Sequence, residues 1–546
     1  MMKNLLLVSL FFISFHANAQ NLALEVYDIF QSNCTSSGCH DSSTAAANLD
    51  LQGTGSNAAI SALSNLVNAS PSNSFARNQG YDLIYPGRPD KSFLFRKINQ
   101  GLEPLINLDA QEERNMPLNG IPLSDLDKEK IRQWILYGAQ LSGTPQVNGV
   151  NVSDIIEEYY TVGGGESFPD GPPPAPAEGE GFQVKMGPFF MPPNGEIEYF
   201  QKYELDLPED MEVNRIDMKF STYSHHLIIY DFNPGGSNSI PAGLRLDPDH
   251  SQIGLVAAVQ DSEDLRLPEG TAFKWEEDIV LDLNSHYINF SANQPYKSEA
   301  YINIYTQEDG TAAQEMKTEL LANFNIWVPN DGDLVSFRQN INFNLGDIYL
   351  WGLMGHTHQY GAGYKVFERV NGQEGELIYD ASCGLGIPGC VSPNFDYQHI
   401  PFSKFNTFKP LTMNFANGLI HEASYINDGP TSVGFGATSD DEMMVLILMY
   451  VDDLDGVVVS SDQVRHPVKG IKFYPNPILD FAMIELPEDF NATTLELYDL
   501  TGKLVRSEFV SGEYISFERK NLSSGMFVYR LEDEEGRFAT GKIVLD

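Results

Sequence analysis

The sequence predicts a multidomain, mostly antiparallel β protein. The expected parts are a small all-α domain at the N-terminus, two tandem antiparallel β-sandwiches, and a small β-sandwich at the C-terminus. Three observations support this. The chain has 546 residues, too many for a single core. Apolar residues recur at helical spacing only before the Pro/Gly-rich stretch GGGESFPDGPPPAPAEGEG (163–181). After that stretch, short alternating or apolar runs punctuated by turn residues take over, the signature of sandwich strands.

In chain order, MMKNLLLVSLFFISFHANAQ has a lysine, a short apolar run and Ala17-Asn18-Ala19 before Gln20. This predicts a secretory signal peptide over 1–19. Residues 21–145 hold the helical patterns LEVYDIFQSN and DKEKIRQWILYG, and 146–181 read as an interdomain linker. Residues 182–300 and 301–458 form the two sandwiches, from runs such as IEYFQKYELDL, HHLIIYDF, DIVLDLNSHYINF, DIYLWGLMG and MMVLILMYV. A last β unit occupies 471–546. No later apolar run reaches the roughly 18 residues of a membrane span. With 34 Lys+Arg against 75 Asp+Glu the formal charge is −41, which argues against nucleic acid or anionic lipid as a partner.

Six soft or borderline ligands stand out: His225 and His226 in YSHHLIIY, His286 in LNSHYINF, His356 and His358 in GHTHQYG, and Met443 in TSDDEMM. Imidazole with a thioether suits copper better than magnesium, calcium or structural zinc. Alternate residues of a strand share a face, so His356 and His358 can share an ion while Thr357 faces elsewhere. Adjacent His225 and His226 point to opposite faces of a regular strand, and share an ion only where the backbone twists or the strand ends. The bland alternative is satisfied polar residues and a plain core strand after DEMM.

The order HH, a strand histidine about sixty residues on, HTH, then SDDEM resembles the copper type II, ascorbate-dependent monooxygenases, the family of peptidylglycine and dopamine hydroxylases. The longer contexts VNRIDMKFSTYSHHLIIYDF and VGFGATSDDEMMVLILMYV match as well. The resemblance implies two tandem sandwiches with one copper on each, facing a shared solvent cleft. It implies an electron-transfer copper on His225, His226 and His286, and an oxygen-binding copper on His356, His358 and Met443. It also implies hydroxylation of a C–H bond in a small-molecule or peptide substrate, using O2 and an external reductant, ascorbate or a redox protein. Where the peptidylglycine enzymes carry a carboxylate-anchoring arginine this chain has Met354. Where an asparagine and a tyrosine follow their ligand methionine it has Val445 and Ile447. Glycine-extended peptides are therefore not the expected substrate. The rival reading is a non-enzymatic secreted copper-binding or redox protein on a degenerate scaffold.

The four cysteines fall into two local pairs. CGLGIPGC predicts a short-loop disulfide between Cys383 and Cys390. Cys34-Thr-Ser-Ser-Gly-Cys39-His40 has the order of a covalent haem attachment site, although the usual spacing leaves only a pair of residues between the cysteines. Its bland alternative is a disulfide across a tight loop. YPGRPDKSFLFRKI, Asn115-Met116-Pro117-Leu118 and LSDLDKEKIRQWILYGA resemble the small cytochrome c domains attached to exported bacterial enzymes. That resemblance implies one c-type haem on Cys34 and Cys39, with His40 and Met116 as axial ligands; because both modules lie on one chain, the haem is expected to relay electrons to the first copper, in place of or beside ascorbate. Finally FYPNP, LELYDLTGKLV and LSSGMFVYRL resemble the C-terminal sorting domain of the type IX secretion system of Bacteroidota. This implies export through that machinery to the medium or the cell surface.

Overall fold

The computed structural model describes residues 21–546 apart from several short stretches, the longest being 383–394 and 459–467. The signal peptide expected over 1–19 and the Cys383–Cys390 disulfide both lie outside the described residues. The chain divides into two compact units, one ending at Val458 and one running from Val459 to Asp546. The first is predominantly β, with its longer helices before Gly163. No helix among the described residues is long and apolar enough to cross a membrane.

The first unit opens with a helical region that includes α1 (Leu22–Asn33), α2 (Phe93–Ile98), α3 (Asp125–Leu136) and α4 (Val152–Val162), with the short helices Ala58–Ser64 and Ser74–Asn78 between α1 and α2. Asn21 caps α1 through a bond from the Ala23 N–H, and Ser124 caps α3 through the Asp127 N–H. Val26, Phe30, Phe95, Ile131 and Trp134 bury their apolar faces together. The expected all-α domain is nevertheless not evident as a separate body, because the helical region is fastened to the first sandwich. Arg88 stacks 3.8 Å from the Tyr203 ring and donates to the Glu204 carbonyl at 3.0 Å. The Tyr137 hydroxyl bonds that of Tyr199.

Two boundaries need correction. The segment 146–181 is not a free linker throughout: α4 buries Val152, Ile155 and Ile156 against Phe190, since its apolar residues recur at helical spacing. Its Pro-rich remainder lies along the first sandwich, where Gln183 and Asn303 donate to the Pro173 and Pro174 carbonyls. The boundary at 300/301 falls inside the strand Tyr296–Glu308, a continuous member of the first sandwich.

That sandwich packs a seven-stranded sheet on a five-stranded one. The five-stranded sheet matters most here. Its central strands are β1 (Glu196–Glu204), β2 (Ser224–Phe232) and β3 (Val280–Ile288), with β3 antiparallel between the other two. Leu227, Ile229, Leu281 and Leu283 point into the sandwich core. The alternate face carries His226, Ile228, Asn284 and His286. Ile228, with Ala258 of the neighbouring strand, packs into the core of the second sandwich, so the histidine face looks towards it. Thr318 ties the two sandwiches at that edge by donating to the Val256 carbonyl at 2.9 Å.

The second sandwich has two four-stranded sheets. One pairs β4 (Gly346–His356) with β5 (Val445–Val451), from Tyr349↔Val451 to His356↔Val445 with a register shift between Leu350 and Gly352. The tail unit folds by itself as a three-stranded and a four-stranded sheet around Ile484, Leu497, Phe517 and Leu531.

Candidate metal centre and haem cavity

His225, His226 and His286 converge, with ligand atoms all within 4.8 Å of one another. A β-bulge makes this possible. His286 pairs with His226 but Tyr287 pairs with Ser224, leaving His225 as the extra residue on β2. The kink turns His225 onto the face its neighbour already occupies, which a regular strand forbids. The three ring centroids form a near-equilateral triangle with sides of 5.6, 5.4 and 5.4 Å. Each ring therefore lies about 3 Å from the centre, the distance at which an imidazole binds an ion through a nitrogen roughly 2.0 Å away.

Carboxylates hold two of these rings from behind. His226 Nε2 lies 3.2 Å from Glu198 Oε1 and 3.1 Å from Asn284 Oδ1. His286 Nε2 lies 2.9 Å from Glu196 Oε1. His226 Nδ1 is buried with no hydrogen-bond partner, a costly state for a polar atom unless an ion completes it. Carboxylate on one nitrogen and metal on the other is the usual arrangement of a histidine ligand. Burial pushes the His225 pKa far below the ordinary histidine value, and the neighbouring imidazoles add to it, so the ring is neutral and ready to ligate. Burial raises the Glu198 carboxyl, but the His226 hydrogen bond, the charge of the His226 and His286 rings and the Asn284 hydrogen bond together outweigh it and hold the group at about 2.

The second group sits where β4 ends. The strand stops at His356, so His358 lies just beyond it rather than two residues along a strand, and its ring is 5.2 Å from that of His356. Glu442 organises this turn by accepting the backbone N–H groups of His358 at 3.0 Å and Met443 at 3.1 Å. His358 Nδ1 bonds the Asp441 carbonyl at 3.1 Å, which leaves Nε2 for an ion. Half-buried Met443 precedes Val445, the register partner of His356, by two residues. Burial lowers the His358 pKa to about 4 and that of His356 well below the ordinary value. Met354, Val445 and Ile447 are all core residues, 2, 5 and 2 % exposed, and Met354 pairs with Ile447 across the sheet.

The two groups touch. The His356 ring is 6.2 Å from both His225 and His226. Gln260, which the sequence did not single out, ties this region together. It reaches His356 Nδ1 at 3.3 Å, donates to the Tyr397 carbonyl at 2.9 Å and accepts the Ile400 N–H at 3.0 Å. The Tyr397 ring lies 5.9 Å from His225. Nor did the sequence single out Glu196 and Glu198. Their i, i+2 spacing on a strand was the available signal, but only pairing with β3 reveals which face they share.

A separate cavity of about 440 Å³ opens in the helical region, a size that suits an organic cofactor. Cys34, Cys39, His40 and Met116 all line it, among apolar side chains including Phe30, Leu83, Leu94 and Ile98. Both cysteines are free thiols, which goes against a disulfide across the loop. Burial, then the neighbouring Cys39, pushes the Cys34 thiol up to about 11, so the free thiol stays protonated at neutral pH. The His40 N–H bonds the Cys34 carbonyl at 3.1 Å, closing the loop. His40 Nδ1 lies 3.2 Å from the Leu49 carbonyl, which sets the tautomer and leaves Nε2 for an axial bond.

Comparison with known proteins identifies the tail. Residues 472–546 match the family described as the secretion system C-terminal sorting domain. The tail is a type IX secretion sorting domain, and the protein is secreted or attached to the cell surface. No curated protein matches the chain. Among solved structures, the major capsid protein P2 from bacteriophage PM2 is 7 % identical, covering 50 % of this chain and 96 % of that one at a TM-score of 0.23. The STIV MCP is 11 % identical over 50 % and 97 %, at 0.20. A β-D-glucuronidase of Dictyoglomus thermophilum is 10 % identical over 42 % and 43 %, at 0.12. These likenesses are too slight to carry any argument.

Proposed function

We propose that this is an exported copper monooxygenase that hydroxylates a C–H bond with O2, supplied with electrons through an attached c-type haem. The observation that carries the reading is the buried trio His225/His226/His286, with its orphaned His226 Nδ1, set against His356, His358 and Met443. The donor chemistry supports copper over the common alternatives. Neutral imidazoles suit Cu(II) and Cu(I), a thioether favours Cu(I), and no carboxylate is positioned as a direct ligand of the trio. Bound copper would supply one-electron transfer at the first site and oxygen activation at the second.

The protein's own residues define what surrounds that chemistry. Glu196, Glu198 and Asn284 orient the ligands of the first site. Glu442 holds His358 and Met443 on one turn. Core side chains shield the second site from water on the Met354 side. The reaction consumes the substrate C–H bond, one O2, two electrons and two protons, and yields an alcohol and water. A c-type haem would be held by Cys34, Cys39, His40 and Met116, which line one cavity, and would supply one-electron transfer from ascorbate or a redox protein. Met/His ligation gives the high potential that an electron carrier needs.

The substrate class has one boundary. With Met354 and Ile447 in the core, these positions offer a peptide carboxylate no cation, and a buried unpaired carboxylate is costly. Glycine-extended peptides should therefore not be turned over, and efficient amidation of one by the purified protein would overturn that boundary. The reading itself is tested on protein matured in its own secretion pathway. Metal analysis should find two coppers per chain, and a pyridine haemochrome spectrum should find one haem. Oxygen uptake with a range of C–H donors should be lost in His358→Ala. Absence of copper from the mature protein sinks the reading.

A further inference from the structure

We infer that the helical region completes the first metal site, with Asn148 and Tyr137 as positioning residues that act through β1. The inference rests on the copper reading above and concerns what holds the carboxylates behind the trio. β1 carries Glu196 and Glu198, which lie against His286 and His226. Side chains alternate along a strand, so the intervening Ile197, Tyr199, Gln201 and Tyr203 face the other way. Each of these meets the helical region. Ile197 packs against the cluster of Val147, Val152, Ile155 and Ile156. The Tyr199 hydroxyl bonds that of Tyr137, and their rings meet edge to face with centroids 5.9 Å apart. Gln201 donates to the Gly87 carbonyl at 3.0 Å, and Arg88 stacks on the Tyr203 ring. One face of β1 is thus gripped by the helical region while the other grips the histidines.

The grip reaches both carboxylates. The Glu196 N–H donates to Asn148 Oδ1 at 2.8 Å. Asn148 sits in a hairpin turn: Val147 pairs with Val150, and Asn148 and Gly149 take φ of +48° and +77°, as a tight two-residue turn requires. That turn fixes the backbone from which Glu196 reaches His286. Tyr199 directly follows Glu198, is 1 % exposed, and its carbonyl accepts from Asn284 Nδ2 at 3.2 Å. The same Asn284 meets His226 through Oδ1 at 3.1 Å. The Tyr137–Tyr199 bond therefore bears on His226 through two neighbours, Glu198 and Asn284. Removing the Tyr137 hydroxyl alone leaves that of Tyr199 buried without its partner, which is costly, whereas removing both is nearly neutral.

Chelator competition for Cu(II) tests this on the full chain, in a His358→Ala background so that the trio is read alone. Asn148→Gly keeps the left-handed backbone and loses the acceptor. It and Tyr137→Phe should each weaken copper on the trio by up to about 10-fold, the lower end of what losing a partner of a metal-binding imidazole costs. Each should also shift the electron paramagnetic resonance of that copper. Adding Tyr199→Phe to Tyr137→Phe should restore both the affinity and the spectrum. Unmodified affinity and spectrum in both single variants would overturn the inference and leave the copper reading standing. A loss of equal size at the second site, read in a His286→Ala background, would overturn it too, as a general loosening of the fold. A trio that takes up no copper in the unmodified chain would remove the copper reading and this inference with it.

Discussion

At the scale of single residues, the centre depends on groups that are not ligands. Glu198 is partly buried, accepts from His226 and Asn284, and its charge is held by those contacts. Replacing it by glutamine keeps the shape but removes the charge that makes the imidazole a stronger donor. Losing a hydrogen-bond partner of a metal-binding imidazole typically costs roughly 10–100-fold in metal affinity. Glu198→Gln should accordingly weaken copper at the first site by that order while sparing the second, as read by competition titration with a chelator. The exposed His399–Asp396 pair should show no such effect. A different histidine reports on pH. His421 is fully buried between the Tyr364 hydroxyl and Gln339, and burial lowers its pKa to about 4 from an ordinary value near 6.5. Between those values the unfolded chain binds the proton and the folded chain does not, so stability falls as the pH drops through the window. Each pH unit there costs up to about 1.4 kcal/mol from this group. The difference in denaturant midpoint between the parent chain and His421→Gln should narrow from pH 7 to pH 4. A difference that stays constant would refute the assignment.

At the scale of elements, the six candidate side chains and their order were legible in the sequence, and their geometry was not. HTH looked like strand alternation, but β4 ends at His356 and a turn held by Glu442 presents His358. HH looked unfavourable because adjacent strand residues diverge. A bulge at His225 resolves that, and a bulge is a property of the pairing with β3, invisible in β2 alone. The helical region shows the same limit. Its helices follow from apolar spacing and capping residues, whereas its attachment to the first sandwich depends on close backbone approach. Gly243 has φ +93°, and a Cβ there would fall 2.5 Å from the Gly138 nitrogen. Gly243→Val therefore forces strain and separation together, and strained backbone of this kind costs about 1–3 kcal/mol per residue. The variant should unfold at lower temperature and be cut sooner by protease near Gly138, with its haem content unchanged. Unchanged proteolysis would show that the contact does not hold the helical region in place.

At the scale of the whole molecule, the chain separates delivery from chemistry. Every proposed ligand and the cavity lined by Cys34 and Cys39 lie before Val458, and the sorting domain begins at 472, with its own core around Ile484, Leu497 and Phe517. The sequence displayed this division plainly, because a sorting signal must be read by its machinery as a local pattern, and FYPNP and DLTGK keep that pattern intact. What the sequence could not display is that the helical region and both sandwiches fold as one unit. The groups joining them, Arg88 with Tyr203 and Gln260 with His356, are far apart in the chain and ordinary in type. A chain ending at Val458 should therefore fold, with thermal unfolding of its metal and haem sites at the same temperature as in the full chain. It should bind copper with the same stoichiometry and spin count, since no ligand or supporting carboxylate is lost. Because the sorting domain is what directs export, the truncated chain should accumulate inside the cell envelope and be missing from the medium and the surface, as read by fractionation and immunoblot. Truncated protein reaching the surface in normal amounts would show that export is directed by another part of the chain. Loss of copper from the folded truncated protein would instead make the tail a structural partner of the metal centre.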